Sequence, residues 1–142
     1  MKKGRMLALL MAVLLLSAVI MPGYSMQSRA NTQIATTNAT ILKKSNGELD
    51  ILFSLRCQSS MDVLGVTSIV VQRFNGTSWV SEYTFNIREY PKMQINNKSS
   101  YSATLSYSPD KRGAQYRAMV FFYARNSSGS DTAVRTTGSM TA

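Results

Sequence analysis

The chain has no histidine among its 142 residues, a single cysteine, Cys57, and only three prolines. Without histidine it lacks the side chain most often used as a general base near neutral pH. The Ser-His and Cys-His pairs that activate nucleophiles go with it. One cysteine makes no internal disulfide and supplies too few ligands for a structural zinc site. Acids are sparse as well, seven against sixteen Lys and Arg. Glu48, Asp50, Asp62, Glu82, Glu89, Asp110 and Asp131 stand singly on predicted turns and outward strand faces, so the paired carboxylates of a glycosidase are not evident. No GxSxG, P-loop or GxGxxG string occurs. The reading is therefore no enzyme, no cofactor and no metal, with a carboxylate-dependent hydrolase as the last alternative. Asp62, Asp110 and Asp131 fall at loops, but calcium needs closely spaced oxygens and turn capping is the simpler use.

A hydrophobic run long enough to span a bilayer is also missing. Residues 6–21 are apolar apart from Ser17, sixteen positions where a spanning helix takes roughly 20. Lys2, Lys3 and Arg5 precede the run, Pro22 and Gly23 end it, and small residues follow. That pattern predicts a secretory signal helix over residues 1–30, cleaved after Ser25 or after Ala30, with an uncleaved anchor as the alternative. The expected location is secreted, with cell-wall association as the further expectation and the membrane met only through the signal. The 112 residues from Asn31 fit one domain. Lys2, Lys3, Arg5 and Arg29 leave with the signal, so twelve basic and seven acidic residues give the mature chain a net charge of +5. There is no dense basic stripe, and no nucleic-acid partner is expected. The charge suits either an anionic cell envelope or plain solubility.

What the chain does have is period-two alternation. A Thr- and Asn-rich flexible leader is expected over residues 31–38, then one β domain over 39–142. Strands are predicted at residues 39–44, 48–58, 66–74, 79–87, 99–107, 114–126 and 131–139, each bounded by Gly, Asn or Pro turns. Asn46-Gly47 and Asn75-Gly76 are hairpin signals. Residues 59–64 read as a connection between two sheets, and residues 88–98, with Pro91, as a long surface loop. The fold class is all-β, an antiparallel seven-stranded sandwich, with barrel closure as the runner-up. Cys57 is in phase with Leu49, Ile51, Phe53 and Leu55 and reads as a small buried hydrophobe, pairing between chains being the alternative.

Residues 114–126 form the organising strand. Tyr116, Ala118, Val120, Phe122 and Ala124 make an apolar inward parity. On the other parity Met119, Phe121 and Tyr123 are flanked by Arg117 and Arg125. Val70 and Phe74 join them if residues 66–74 are the neighbouring strand, and Trp79 follows through the hairpin. Such a patch predicts a binding surface for a protein or glycan of the cell envelope, or of a host or competitor. The alternative is an apolar face covered by neighbouring side chains, the leader or a second copy.

The line Leu64-Gly65-Val66-Thr67, then Gln72-Arg73-Phe74-Asn75-Gly76-Thr77-Ser78-Trp79-Val80, with Tyr116-Arg117-Ala118 and Tyr123-Ala124, is similar to a family of small exported proteins of Gram-positive bacteria. The resemblance implies a signal peptide, one short β-sandwich and no assigned activity. A looser likeness is to immunoglobulin and fibronectin type III sandwiches. There Tyr116 would be the corner tyrosine two residues before a bridge position, here Ala118, and Cys57 would hold the other bridge position. That likeness implies that Cys57 and Ala118 approach in the core. The expected function is a small noncatalytic binding or interaction module, the alternative a secreted effector acting on another protein as inhibitor or antimicrobial factor.

Overall fold

A computed structural model describes residues 33–142, so the expected signal helix and both cleavage points lie outside the described residues. The strands are β1 (Ile34–Lys43), β2 (Leu49–Phe74), β3 (Trp79–Asn86), β4 (Gln94–Tyr107), β5 (Gln115–Asn126), β6 (Gly129–Thr136) and β7 (Met140–Thr141), with a single 3₁₀ turn at Pro91–Met93. All pairings are antiparallel, in one seven-stranded sheet curled into a half-barrel.

The all-β class and the strand number match the sequence reading, but the strands are divided differently. The two strands expected at 48–58 and 66–74 and the crossing expected at 59–64 are replaced by one strand of 26 residues, Leu49–Phe74. At about 3.3 Å per residue a straight β2 would run roughly 85 Å, far beyond a small domain some 30 Å across. It therefore has to bend. Residues 57–60 of β2 stand opposite Ser99 alone, between the pairs Arg56↔Ser100 and Met61↔Lys98. Thr67 is bulged out between Val66↔Phe122 and Ser68↔Phe121. Extra residues on one strand kink it and raise its twist. The inward phase also changes along the strand, from Leu49, Ile51, Phe53, Leu55, Cys57 and Met61 to Leu64 and Val66, then past the Thr67 bulge to Ile69 and Val71, all buried. Those slips are why residues 59–64 look like a connection in the sequence.

The bend gives β2 two sets of neighbours. Its first half pairs β1 on one edge and β4 on the other. Its second half pairs β5 and β3, with β6 and β7 beyond β5. The inner faces of both limbs share one core, in which Tyr116, Phe122, Leu49, Ile51, Met61, Leu64 and Ile69 are essentially free of solvent. The limbs are stitched along one side by Asp131. Its Oδ2 accepts from the backbone N–H of Gln33 at 3.3 Å and of Ile34 at 3.1 Å. Gln33 Nε2 donates to Asn126 Oδ1 at 3.1 Å, and Arg135 Nε to Thr37 Oγ1 at 2.9 Å.

These contacts correct the leader: Ile34–Asn38, read as loose, is the start of β1. The loop expected over residues 88–98 is likewise shorter, because β4 begins at Gln94 and Met93 is fully buried. The two Asn-Gly hairpins form as expected, with Gly47 at φ +84° and Gly76 at φ +100°. Tyr116 makes a tyrosine corner, its hydroxyl donating to Lys111 O at 3.1 Å and accepting from Lys111 N at 3.3 Å. The bridge geometry expected with it is absent. Cys57 pairs with Ile34, whose N–H reaches Asp131, and Asp131 pairs with Ala124. Cys57 thus belongs to the Ala124 end of β5, and Ala118 lies six residues away along that strand, roughly 20 Å. The thiol is buried and unpaired, and burial, with the Asp131 charge, pushes its pKa up.

Gly65 sits where β4 enters, paired with Gln94 and Tyr123 at φ +145°, and a Cβ there would lie 2.2 Å from Met93 O and 2.7 Å from Gln94 Cα. Backbone cannot yield as a side-chain tip can. Gly65→Ala is therefore expected to destabilise by about 3 kcal/mol or more. Gly76→Ala, with nothing within 4 Å of the added methyl, should cost about 1 kcal/mol; denaturant unfolding of both variants checks the difference. A second prediction concerns Tyr107, whose phenol is pushed up to about 12, first by burial and then by the nearby Tyr116, Asp110 and Glu82. The unfolded chain releases that proton near its ordinary value of 10.0 while the fold retains it. This contribution is intact below pH 10 and is lost as pH rises from about 10 to about 12. Tyr107→Phe should flatten that part of the alkaline stability curve in thermal melts at stepped pH.

Candidate functional site

Directly opposed residues of an antiparallel ladder share a face, so the register fixes what surrounds the outward side chains of β5. Arg117 lies opposite Gln72, and Met119 between Val70 and Thr136. Phe121 lies between Ser68 and Val134, Tyr123 between Gly65 and Thr132, and Arg125 between Val63 and Ser130. Val70, Phe74, Trp79, Arg117, Met119, Phe121 and Tyr123 are all half-buried, and Arg125 is exposed. The expected alternation therefore holds along the whole strand, with Tyr116, Ala118, Val120, Phe122 and Ala124 buried beneath.

The hairpin end is the best-ordered part of the face. Asn75 Oδ1 accepts from Thr77 N at 2.9 Å and Ser78 N at 2.8 Å, so the side chain closes the turn around Gly76. That closure sets Phe74 opposite Trp79, with ring centroids 5.3 Å apart at 47°. Arg117 reaches the same place from β5. Its Cζ lies 4.4 Å from the centre of the Trp79 ring, and its Nε donates to Gln72 Oε1 at 2.8 Å. The indole thus fixes the guanidinium by a cation–π contact. Arg125 closes the far end, eight residues along β5 and roughly 26 Å away. Between the two arginines lies the Val70, Met119, Phe121 and Tyr123 row.

Val134 belongs to this face and was not visible in the sequence. It is 49% exposed and stands beside Phe121. Its parity on β6 depends on a register that no local signal in residues 131–139 specifies. Among the residues paired into the face no carboxylate occurs. Glu82 turns instead to Arg73, Oε1 to Nε 2.5 Å, and Asp131 turns to β1.

Glu48 and Asp50 are also committed to a cation. Lys44 Nζ sits 2.9 Å from Glu48 Oε2 and 3.9 Å from Asp50 Oδ1. The hydrogen bond from Lys44, with help from Asn46, holds the Glu48 carboxyl down at about 2, so it is ionised at any ordinary pH and cannot act as a general acid. Among the described residues no three Cys, Asp or Glu side chains converge as ion ligands, and no helix is long and apolar enough to cross a membrane. No protein-family model, curated protein or solved structure matches the chain.

Trp79→Ala removes the Phe74 partner and the Arg117 platform together. It is expected to lower stability by about 1–2 kcal/mol, with Arg117→Ala costing less than half as much, because the aromatic pair survives there. Chemical denaturation of the two single variants and the double variant measures the coupling.

Proposed function

We propose that the protein is a small secreted or cell-surface-associated, noncatalytic binding module whose contact surface is the outer face of β5. Membership of the exported Gram-positive family that its motifs resemble is part of the same proposal. So is an immunoglobulin-like descent of the fold, which the tyrosine corner at Tyr116 and the folding of one limb over the other support. The observation that carries the functional reading is the composition and order of this one face. Aromatic, Met and Arg side chains are enriched at protein interfaces, and carboxylates are depleted at their centres. Here Met119, Phe121 and Tyr123 form a half-buried row between Arg117 and Arg125, Phe74 and Trp79 extend it past Arg117, and the face holds no acid. Trp, Tyr and Arg are the usual energetic anchors of an interface, and Arg117 is already ordered against Trp79, which reduces the entropy lost on contact. A noncatalytic role is supported by the absence of histidine and by the acids Glu48 and Glu82, each committed to a cation.

The test is binding of the purified protein to isolated protein and polysaccharide fractions of the cell envelope. Phe121→Ala combined with Tyr123→Ala is expected to weaken binding about tenfold or more while circular dichroism stays unchanged. Binding that is unaltered in the double variant, or a loss of stability with no loss of binding, assigns this face to packing and ends the proposal.

A further inference from the structure

On the side of the half-barrel opposite the Asp131 stitch, the backbones of the two limbs stay apart. β3 and β4 flank the same edge of β2 at different heights, and among the described residues no Cα of one comes within 8 Å of the other. The opening between them is a cleft of about 310 Å³, lined by Glu82, Tyr83, Phe85 and Tyr90 on one side and Tyr107 and Asp110 on the other. Its floor is a relay of rings. Tyr90 and Phe85 are 4.9 Å apart, Phe85 and Tyr83 4.9 Å, and Tyr83 and Tyr107 5.9 Å with planes inclined by only 30°. Tyr83 is 37% exposed, and its hydroxyl lies 3.0 Å from that of Tyr90.

We infer that this cleft is a sugar-binding subsite, separate from the outer face of β5, which takes a neutral pyranose ring of an oligosaccharide. Three features select that chemistry. An exposed tyrosine ring, backed by further rings, offers a flat apolar platform to the C–H face of a pyranose. The polar groups of the lining are the carboxylates of Glu82 and Asp110 and the hydroxyls of Ser106, Ser108 and the tyrosines, a mixed set that matches the donors and acceptors of sugar hydroxyls held on a rigid frame. Finally, Asp110 is the one carboxylate of the lining without an ion pair among the described residues, because Glu82 is paired with Arg73. Both side chains are well shielded, at 20% and 17% exposure, and Glu82 Oε2 makes no hydrogen bond among the described residues. That oxygen is a fixed acceptor without net charge around it, and Asp110 supplies a second carboxylate across the cleft. The opening at the sheet edge leaves room for the next sugar of a chain.

The experiment is titration of the ¹⁵N-labelled protein with cellotetraose and with chitotetraose, followed by amide shifts. At least one of the two should move Glu82, Tyr83, Tyr90 and Asp110 with a Kd on the order of 1 mM, typical of weak, open sites. Tyr83→Ala and Asp110→Asn should each weaken binding about tenfold, and Trp79→Ala on the outer face should leave it unchanged. Tyr83→Phe keeps the ring and is expected to retain binding, which separates a lost platform from a disturbed fold. Shifts confined to the Trp79 and Phe121 face, shifts with tetramethylammonium but neither sugar, or no shifts at all would each overturn the inference. Failure of the outer-face proposal would show in the envelope-binding assay without moving these amides.

Discussion

A single strand that is too long for its domain governs this molecule. β2 has to turn within its own length, and it does so by carrying extra residues at 57–60 and at Thr67 that its neighbours lack. The turn lets one strand serve both limbs, so that β1 and β4 on the first half and β5 and β3 on the second bury their inner faces against each other. Gly65 is the steric condition for that arrangement, because the backbone of Met93 and Gln94 passes where any Cβ would stand. Without a disulfide, the closure rests on ordinary side-chain packing and on hydrogen bonds that join segments far apart in sequence, Asp131 to Gln33 and Ile34 above all.

The bend also explains why the two sides of the molecule differ. On the side of β1 and β6, Asp131, Asn126 and Arg135 draw the limbs together. On the side of β3 and β4 the backbones stay apart, and the space between them is lined by aromatic rings and by Glu82, which is paired with Arg73. Desolvated charges persist only when partnered, and this pair is partnered at short range. The outer face of β5 is a third environment, with arginines and large apolar side chains but no acid. One modest sheet therefore displays two surfaces of different chemistry, a cationic aromatic face and an acceptor-rich tyrosine cleft.

Much of the site on β5 was legible because strand alternation is local. Tyr116 to Ala124 on one parity and Arg117 to Arg125 on the other follow from the pleat alone, and the Asn75-Gly76 turn fixes the Phe74 and Trp79 pair within six residues. Val134 was not legible, since a slip of one residue in the β5–β6 register would have hidden it. Nor was the Tyr83, Tyr90 and Tyr107 cleft, whose members come from segments that touch only after β2 bends. The misplaced approach of Cys57 to Ala118 has the same origin, because the bend sets which ends of the strands face each other.

The sequence by itself determined the all-β class, the two Asn-Gly hairpins, the buried parity of β5 and the chemistry unavailable to a chain without histidine. These depend on neighbours along the chain, where sterics and period-two alternation act. Tertiary structure alone decided that residues 49–74 are one strand, that Ile34–Asn38 belongs to β1, that Asp131 joins limbs, and that four aromatic rings gather beside Glu82 and Asp110. Those outcomes depend on which residues the curvature of β2 brings together across the core, and no local pattern encodes a curvature.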